Sequence, residues 1–417
     1  MSFIQTHVTM KGSKTMKKNR QIITGRTVCL MVMLLVLTAF AGCSKSGEGN
    51  ESTVSESSVV SDSADNSEDS REETSAAPVY SDAFTFSKPM DGVVIHSSMQ
   101  KKLLEDSYEN ALKYAHGSSE VSRPKAVDFV WTYDGTATGF TVVISEKEDL
   151  SDAWVYETAE SKISVYNVKI GTKYYWQVTA HTSGGDDVSP ISTFTTDSAW
   201  PRNLYIDGIT NARDLGGRNT LDGGYTRQGL LYRTARLSKN ESGKAEITEN
   251  GIRTMLEQLR VKSEIDLRKL SEAGITESPL GSTVTYFACP ITNAKDIANN
   301  KNEIRHVFQI LADENNYPIF FHCSIGTDRT NLIAFLVNGL LGVDESDLYY
   351  DYVFSNLGNI EGNTRPASQI QAADHYVAAF KKFDGDTLSE KIRNYLISIG
   401  VTDEEMNSII KIMKVEK

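Results

Sequence analysis

The chain has 417 residues, an apolar fraction of 40% and a formal charge of −12. That length allows two or three domains with real cores, and the acidity argues against a nucleic-acid partner. Its four cysteines, Cys29, Cys43, Cys289 and Cys323, lack paired spacing, which excludes a disulfide framework or a zinc pattern.

The charge is unevenly spread. Lys11, Lys14, Lys17, Lys18, Arg20 and Arg26 precede an apolar run over residues 28–41. That run has the length of a signal-peptide core and falls short of the roughly 20 residues a spanning helix needs. It ends in Thr38-Ala39-Phe40-Ala41-Gly42-Cys43. This resembles the bacterial lipobox, in which small residues precede a cysteine that is lipidated and becomes the new N-terminus. Phe40 departs from the usual Leu. The resemblance implies a lipoprotein signal peptide over residues 1–42, lipidation at Cys43, and an extracytoplasmic protein anchored to the bacterial cell membrane. Cys29, inside the apolar run, reads as a small apolar filler. Residues 43–83 are rich in Ser, Glu and Asp. They are too poor in large apolar side chains to offset ordering entropy, so a disordered acidic tether is expected.

Residues 84–198 change character. Phe129-Val130-Trp131-Thr132-Tyr133, Gly139-Phe140-Thr141-Val142-Val143-Ile144-Ser145 and Tyr174-Tyr175-Trp176-Gln177-Val178-Thr179-Ala180 read as strands, with Ser192-Thr193-Phe194-Thr195-Thr196 closing the region. Strands at this spacing predict an all-β sandwich. The stretch from Gly171 to Val178 with the closing strand resembles a fibronectin type III module. Trp131, Tyr174 and Trp176 are expected in its core, and any ligand of the module is unknown. Residues 99–114 look helical, with Leu103, Leu104, Tyr108 and Leu112 on one side, as an insertion in the sandwich.

Residues 199–417 alternate short apolar runs with helical patterns, an α/β reading. Ser263-Glu264-Ile265-Asp266-Leu267, Val284-Thr285-Tyr286-Phe287-Ala288-Cys289 and Pro318-Ile319-Phe320-Phe321 read as strands. Residues 302–312 and 331–341 read as helices. Between the last strand and the last helix lies His322-Cys323-Ser324-Ile325-Gly326-Thr327-Asp328-Arg329-Thr330. The first turn of a helix carries unpartnered N–H groups and a partial positive charge, so a loop of small residues there can cradle an anion. The same field favours the thiolate of Cys323. Arg329, six residues on, can return to the rim and bind two phosphate oxygens. Gly326 permits the turn, Thr330 can donate to the thiolate, and His322 can brace the loop. Ser324, Ile325, Gly326 and Thr327 supply the phosphate-binding amides. These groups suit attack of sulfur on a phosphomonoester and a phosphocysteine intermediate.

Cys-x5-Arg followed by Thr and preceded by His resembles the signature of protein tyrosine and dual-specificity phosphatases, and more narrowly a bacterial atypical tyrosine-phosphatase family. Three further segments match that family's pattern: Asn211-Ala212-Arg213-Asp214-Leu215-Gly216-Gly217, Leu231-Tyr232-Arg233-Thr234-Ala235-Arg236-Leu237-Ser238, and Ile265-Asp266-Leu267-Arg268 with Glu272 nearby. The stretch from Gly342 to Asn356 also fits. The resemblance spans nearly all of residues 203–415.

The leaving group must be protonated, so a carboxylic acid should stand near the loop. No Trp-Pro-Asp tripeptide is present. Asp328 is the first candidate, Asp266 the second and Asp296 a distant third. Arg213, Asp214, Arg233 and Arg236 either line a substrate pocket or hold the loops together. Cys289 reads as a core thiol, with a reversible bridge to Cys323 the alternative.

The expected activity is therefore hydrolysis of phosphotyrosine in a protein, with dual specificity or a phosphoinositide or inositol-phosphate substrate as the alternative. The mechanism implied needs no metal or other cofactor. The reading from another class is a non-catalytic surface adhesin.

Overall fold

A computed structural model describes residues 80–238 and 247–416. The expected signal peptide 1–42, Cys43 and nearly all of the tether lie outside the described residues. No helix among the described residues is long and apolar enough to cross a membrane.

The N-terminal region is rich in β-structure. Its strands are β1 (Phe84–Lys88), β2 (Val127–Tyr133), β3 (Gly139–Ser145), β4 (Trp154–Thr158), β5 (Lys162–Val165), β6 (Lys173–Thr182), β7 (Gly185–Val188) and β8 (Ser192–Thr195). One antiparallel sheet runs β1-β2-β5. The other runs β4-β3-β6-β7, with β8 also pairing β6. Alternation puts Phe129 and Trp131 of the first sheet against Phe140 and Trp176 of the second, ring on ring. Trp131, Tyr174 and Trp176 are core residues, as their alternation predicts.

The helical segment 99–114 does not pack into the core between those sheets. It forms α1 (Ser98–Leu104) and a 3-10 turn (Tyr108–Tyr114). The break falls where Asp106 accepts from the Ser107 N–H and the Asn110 amide, which favours a new cap over a continuous helix. Leu103 and Ala111 are buried in the α/β core, and Tyr108 lies against Tyr349 and Tyr350. Leu112, expected on the apolar side, is exposed. Gln100 donates to the Pro201 carbonyl at 2.8 Å and accepts from Asn203. An apolar face finds the larger core, not the nearer one in sequence.

The rest of the chain builds β9 (Arg213–Asp214), β10 (Tyr225–Thr226), β11 (Leu231–Thr234), β12 (Ser263–Asp266), β13 (Thr285–Ala288), β14 (Ile319–His322) and β15 (Lys414–Val415). Its helices are α2 (Glu249–Arg253), α3 (Leu270–Ala273), α4 (Lys301–Ala312), α5 (Asp328–Leu340), α6 (Glu345–Phe354), α7 (Ser368–Gln371), α8 (Tyr376–Phe380), α9 (Leu388–Ser398) and α10 (Asp403–Met413). The central sheet runs β13-β12-β14-β11-β9 and is parallel except for β9. Its register aligns Thr234, His322, Asp266 and Ala288 across four strands. The carboxyl ends of these strands therefore finish at one edge, the place where ligands bind in open parallel sheets. Helix α5 starts three residues earlier than the sequence pattern predicts. Asp328 and Arg329 thus stand on its first turn.

Candidate active site

The loop after β14 begins at the sheet edge and ends on α5. Gly326 has φ +69°, and a Cβ there would collide with the backbone of Thr234. Only glycine lets the loop lie this close to the end of β11. Cys323 is 2% exposed at the loop's base. Burial opposes its ionisation, but the Arg329 guanidinium and the hydroxyl and N–H of Thr330 outweigh burial, and the thiol pKa lies below its ordinary value.

Arg329 returns to the rim, as the six-residue spacing predicts. Its Nη1 lies 2.7 Å from the Glu272 carboxylate, and its Nη2 donates to Ser324 Oγ at 3.2 Å. Glu272, on α3, is thus the residue that aims the guanidinium. The sequence marked it only as part of a family pattern, and its separation of 57 residues from Arg329 hides the contact.

His322 braces the loop. Its Nε2 lies 2.8 Å from Glu264 Oε1 and its Nδ1 faces the Cys323 carbonyl at 3.1 Å. Burial depresses its pKa, but Asp266 and Glu264 more than reverse this, so the value is raised. Two acceptors on one ring are satisfied together only by the imidazolium. Glu264, Asp266 and His322 form a group with metal-ligand chemistry, their ligand atoms within 4.8 Å of one another. All three are buried; His322 pairs with Glu264 Oε1 and Asp266 with Arg268, while Glu264 Oε2 has no hydrogen-bond partner.

Asp266 is fully buried. Arg268 clamps it in a fork at 2.7–3.1 Å, and Tyr286 donates to it at 3.0 Å. Burial raises its pKa, yet His322 and Arg268 hold it below the ordinary value. The clamp holds Asp266 between Arg268 at 2.7 Å and His322 at 4.0 Å. Asp328 is 35% exposed and meets Arg365 at 3.1 Å and the Tyr352 hydroxyl at 3.1 Å. Asp296 closes the turn before α4 by accepting from Asn299.

Arg213, Asp214 and Arg233 do not line a pocket. All are at most 2% exposed. Asp351 accepts from Arg213 at 2.9 Å, from Arg218 at 2.7 Å and from Arg233. Burial alone would raise its pKa, but the three guanidiniums hold the carboxyl far below its usual range. From this hub Arg233 reaches the Gly326 carbonyl at 2.8 Å. Asp214 instead pairs with Arg202 at 2.8 Å and accepts from the N–H groups of Gly216 and Gly229. Arg233 thus holds the loop directly and Arg213 holds it through Asn211, whereas Asp214 bonds none of its residues. Arg236 differs, because it lines a 400 Å³ cleft beside the loop with Ser118, Thr210, Ser324, Ile325 and Glu361. A second cavity of 260 Å³ lies between the β-rich region and the α/β core and includes no residue of the loop.

Cys289 and Cys323 are both free thiols. Burial, then Asp266, pushes the Cys289 thiol up to about 12. Its sulfur lies 3.7 Å from His306 Nδ1.

A model of the tyrosine phosphatase family matches residues 204–414, just over half of the chain. A candidate tyrosine-protein phosphatase of Cupriavidus necator is 27% identical over 186 residues, 38% of this chain and 65% of its own length. A tyrosine-protein phosphatase of Nostoc commune is 29% identical over 112 residues, 26% of this chain and 37% of its own. The chain thus spans less than two thirds of the length of either relative. Among solved structures, the yeast Siw14 catalytic core is 12% identical with a TM-score of 0.27, over 49% of this chain and 98% of its own. A fibronectin type III domain from the human KIAA0970 protein is 20% identical with a TM-score of 0.17, over 21% of this chain and 72% of its own. These two likenesses are too distant to carry weight.

Proposed function

Because the chain belongs to the tyrosine phosphatase family, we propose that it hydrolyses phosphomonoesters through a phosphocysteine at Cys323, with protein phosphotyrosine as the first substrate class. The supporting observation is the depressed Cys323 thiol inside a loop whose rim carries Arg329. The thiolate attacks phosphorus in line, an S–P bond forms, and the bond to the leaving oxygen breaks. Asp328 gives that oxygen its proton. Water then attacks the phosphocysteine, Asp328 takes a proton back, and the S–P bond breaks to release phosphate. Arg329 and the loop amides of Ser324, Ile325, Gly326 and Thr327 carry the growing charge on the equatorial oxygens. Asp328 is preferred over Asp266 because it is partly exposed and neighbours Arg329 in the chain, although Arg365 forks it as Arg268 forks Asp266.

A second reading has its own support. The cleft beside the loop is lined by Ala235 and Ile325 together with hydroxyls, an amide and the paired Arg236 and Glu361, with no aromatic ring among its lining residues. With no ring to stack on a phenol, and with hydroxyls and an amide at hand, the cleft also admits a polyhydroxylated ring, as in a phosphoinositide headgroup. The N-terminal sequence further supports lipidation at Cys43 and a location outside the cytoplasmic membrane. The two packed antiparallel sheets support a fibronectin III-like module.

The test is turnover of aryl phosphate, a phosphotyrosine peptide and a phosphoinositide by wild type, Cys323→Ser, Asp328→Asn and Asp266→Asn, with kcat followed against pH. Asp328→Asn should lower kcat on the peptide by about 10²-fold or more. A wild type inert on all three substrates returns the chain to a binding role such as an adhesin.

A further inference from the structure

We propose that a strap outside the matched family region, residues 115–122, is a working part of the phosphate loop's mount, with Glu120 as its positioning residue. This rests on the reading of the loop given above.

The strap leaves the 3-10 turn and runs beside the site, where Ser118 lines the cleft, before β2 begins. Glu120 Oε2 accepts two backbone N–H bonds at once, from Asn211 at 3.0 Å and from Asn359 at 3.1 Å. Its other oxygen accepts from the N–H and hydroxyl of Ser122. Asn211 is held in the left-handed region at φ +54°, a conformation with an energetic cost that the surroundings must enforce. In that pose its side-chain amide donates to the carbonyls of Ile325 at 2.9 Å and Gly326 at 3.1 Å. Those carbonyls belong to the peptides whose N–H groups must face an oxyanion. Fixing the carbonyl side of a peptide fixes where its neighbour's N–H points.

The strap grips a second segment that also reaches the loop. His116 and Gly117 donate to the Asn356 carbonyl at 2.9 and 3.2 Å, and Val121 donates to that of Leu357 at 2.8 Å. Ile360 and Gly362 both donate back to the Gly117 carbonyl, at 2.7 and 2.9 Å. Gly117 has φ +51°, and a Cβ there would lie 2.6 Å from Thr364. The gripped segment carries Arg365, the partner of Asp328. One strap therefore sets both the loop carbonyls and the cation beside the proposed acid. Pre-organised amides stabilise a transition state only if they are held in place before reaction.

The test uses the full chain carrying Glu120→Gln or, more mildly, Ser122→Ala. Glutamine cannot accept on both sides, so its NH2 must face one pair of donors. Orthovanadate is the probe for the loop, and aryl phosphate reports turnover. Glu120→Gln should weaken vanadate binding and lower kcat together, by about ten-fold or more, with a smaller change for Ser122→Ala. Variants that melt earlier yet keep kcat per folded molecule and vanadate affinity within about two-fold of wild type would overturn the inference, leaving a structural role only. So would failure of both variants to fold. A wild type that neither turns over aryl phosphate nor binds vanadate would sink the reading of the loop, and the inference with it. An active wild type matched by Glu120→Gln would sink the inference alone.

Discussion

The two halves of the described chain hide their polar groups in opposite ways. The β-rich region is built on rings and branched chains, with Trp131, Trp176, Phe129 and Phe194 at its centre and its acids and lysines mostly outside. The α/β half buries Arg213, Arg218, Arg233, Arg268, Asp214, Glu264, Asp266, His322 and Asp351 almost completely. Buried ions are weak evidence for stability, because desolvation consumes much of what pairing returns. Their concentration behind one loop shows where stability gives way to placement. Apolar packing tolerates some repacking, whereas an ion held by three guanidiniums has one solution.

Variants that separate placement from stability test this contrast. The largest effect belongs to Cys323→Ser, which should cut turnover by at least about 10⁴-fold while leaving the thermal midpoint near that of wild type. A normal rate in that variant would remove the nucleophile. Next is Asp351→Asn against Trp176→Ala. The first leaves three buried guanidiniums short of a counter-charge and should cost about 3–5 kcal/mol in urea unfolding. The second should cost a similar 3–5 kcal/mol through its cavity. Only the first should also weaken vanadate binding per folded molecule, and equal effects of the two on vanadate would erase the contrast.

Glu272→Gln loosens Arg329 without removing it. We expect kcat/KM to fall by about ten-fold, with little change in urea midpoint. An unchanged kcat/KM would mean that Arg329 is placed by Ser324 and the helix alone. The smallest effect is the pH response of the His322 brace. Its folded pKa is raised, so its stabilising contribution is complete below the unfolded value of about 6.5 and is lost as pH rises through the folded pKa. The urea midpoint of wild type should therefore fall across that window relative to His322→Asn. Parallel curves would show that the ring does not titrate there.

Much of this was legible before any coordinates. The alternation in β2, β3 and β6 announces its strands because a period of two is a local property. The loop from His322 to Thr330 is legible for the same reason: nucleophile, glycine and arginine lie within one turn and need no distant partner to be found. The surroundings of Asp266 are not legible, because a carboxylate beside a strand end looks identical, in sequence, whether it faces solvent or an arginine clamp. Residues 99–114 misled because amphipathicity tells that a face is buried, not against what.

The chain alone therefore determined the chemistry on offer: a thiol, a guanidinium and a ring of amides at a strand-to-helix turn, all contiguous. Tertiary structure alone decided how that chemistry is held. Glu120, Glu272, Glu264 and Asp351 reach the loop or its neighbours from 57 to more than 200 residues away. Coulomb and hydrogen-bond energies depend on distance in space, and separation along the chain carries no trace of it.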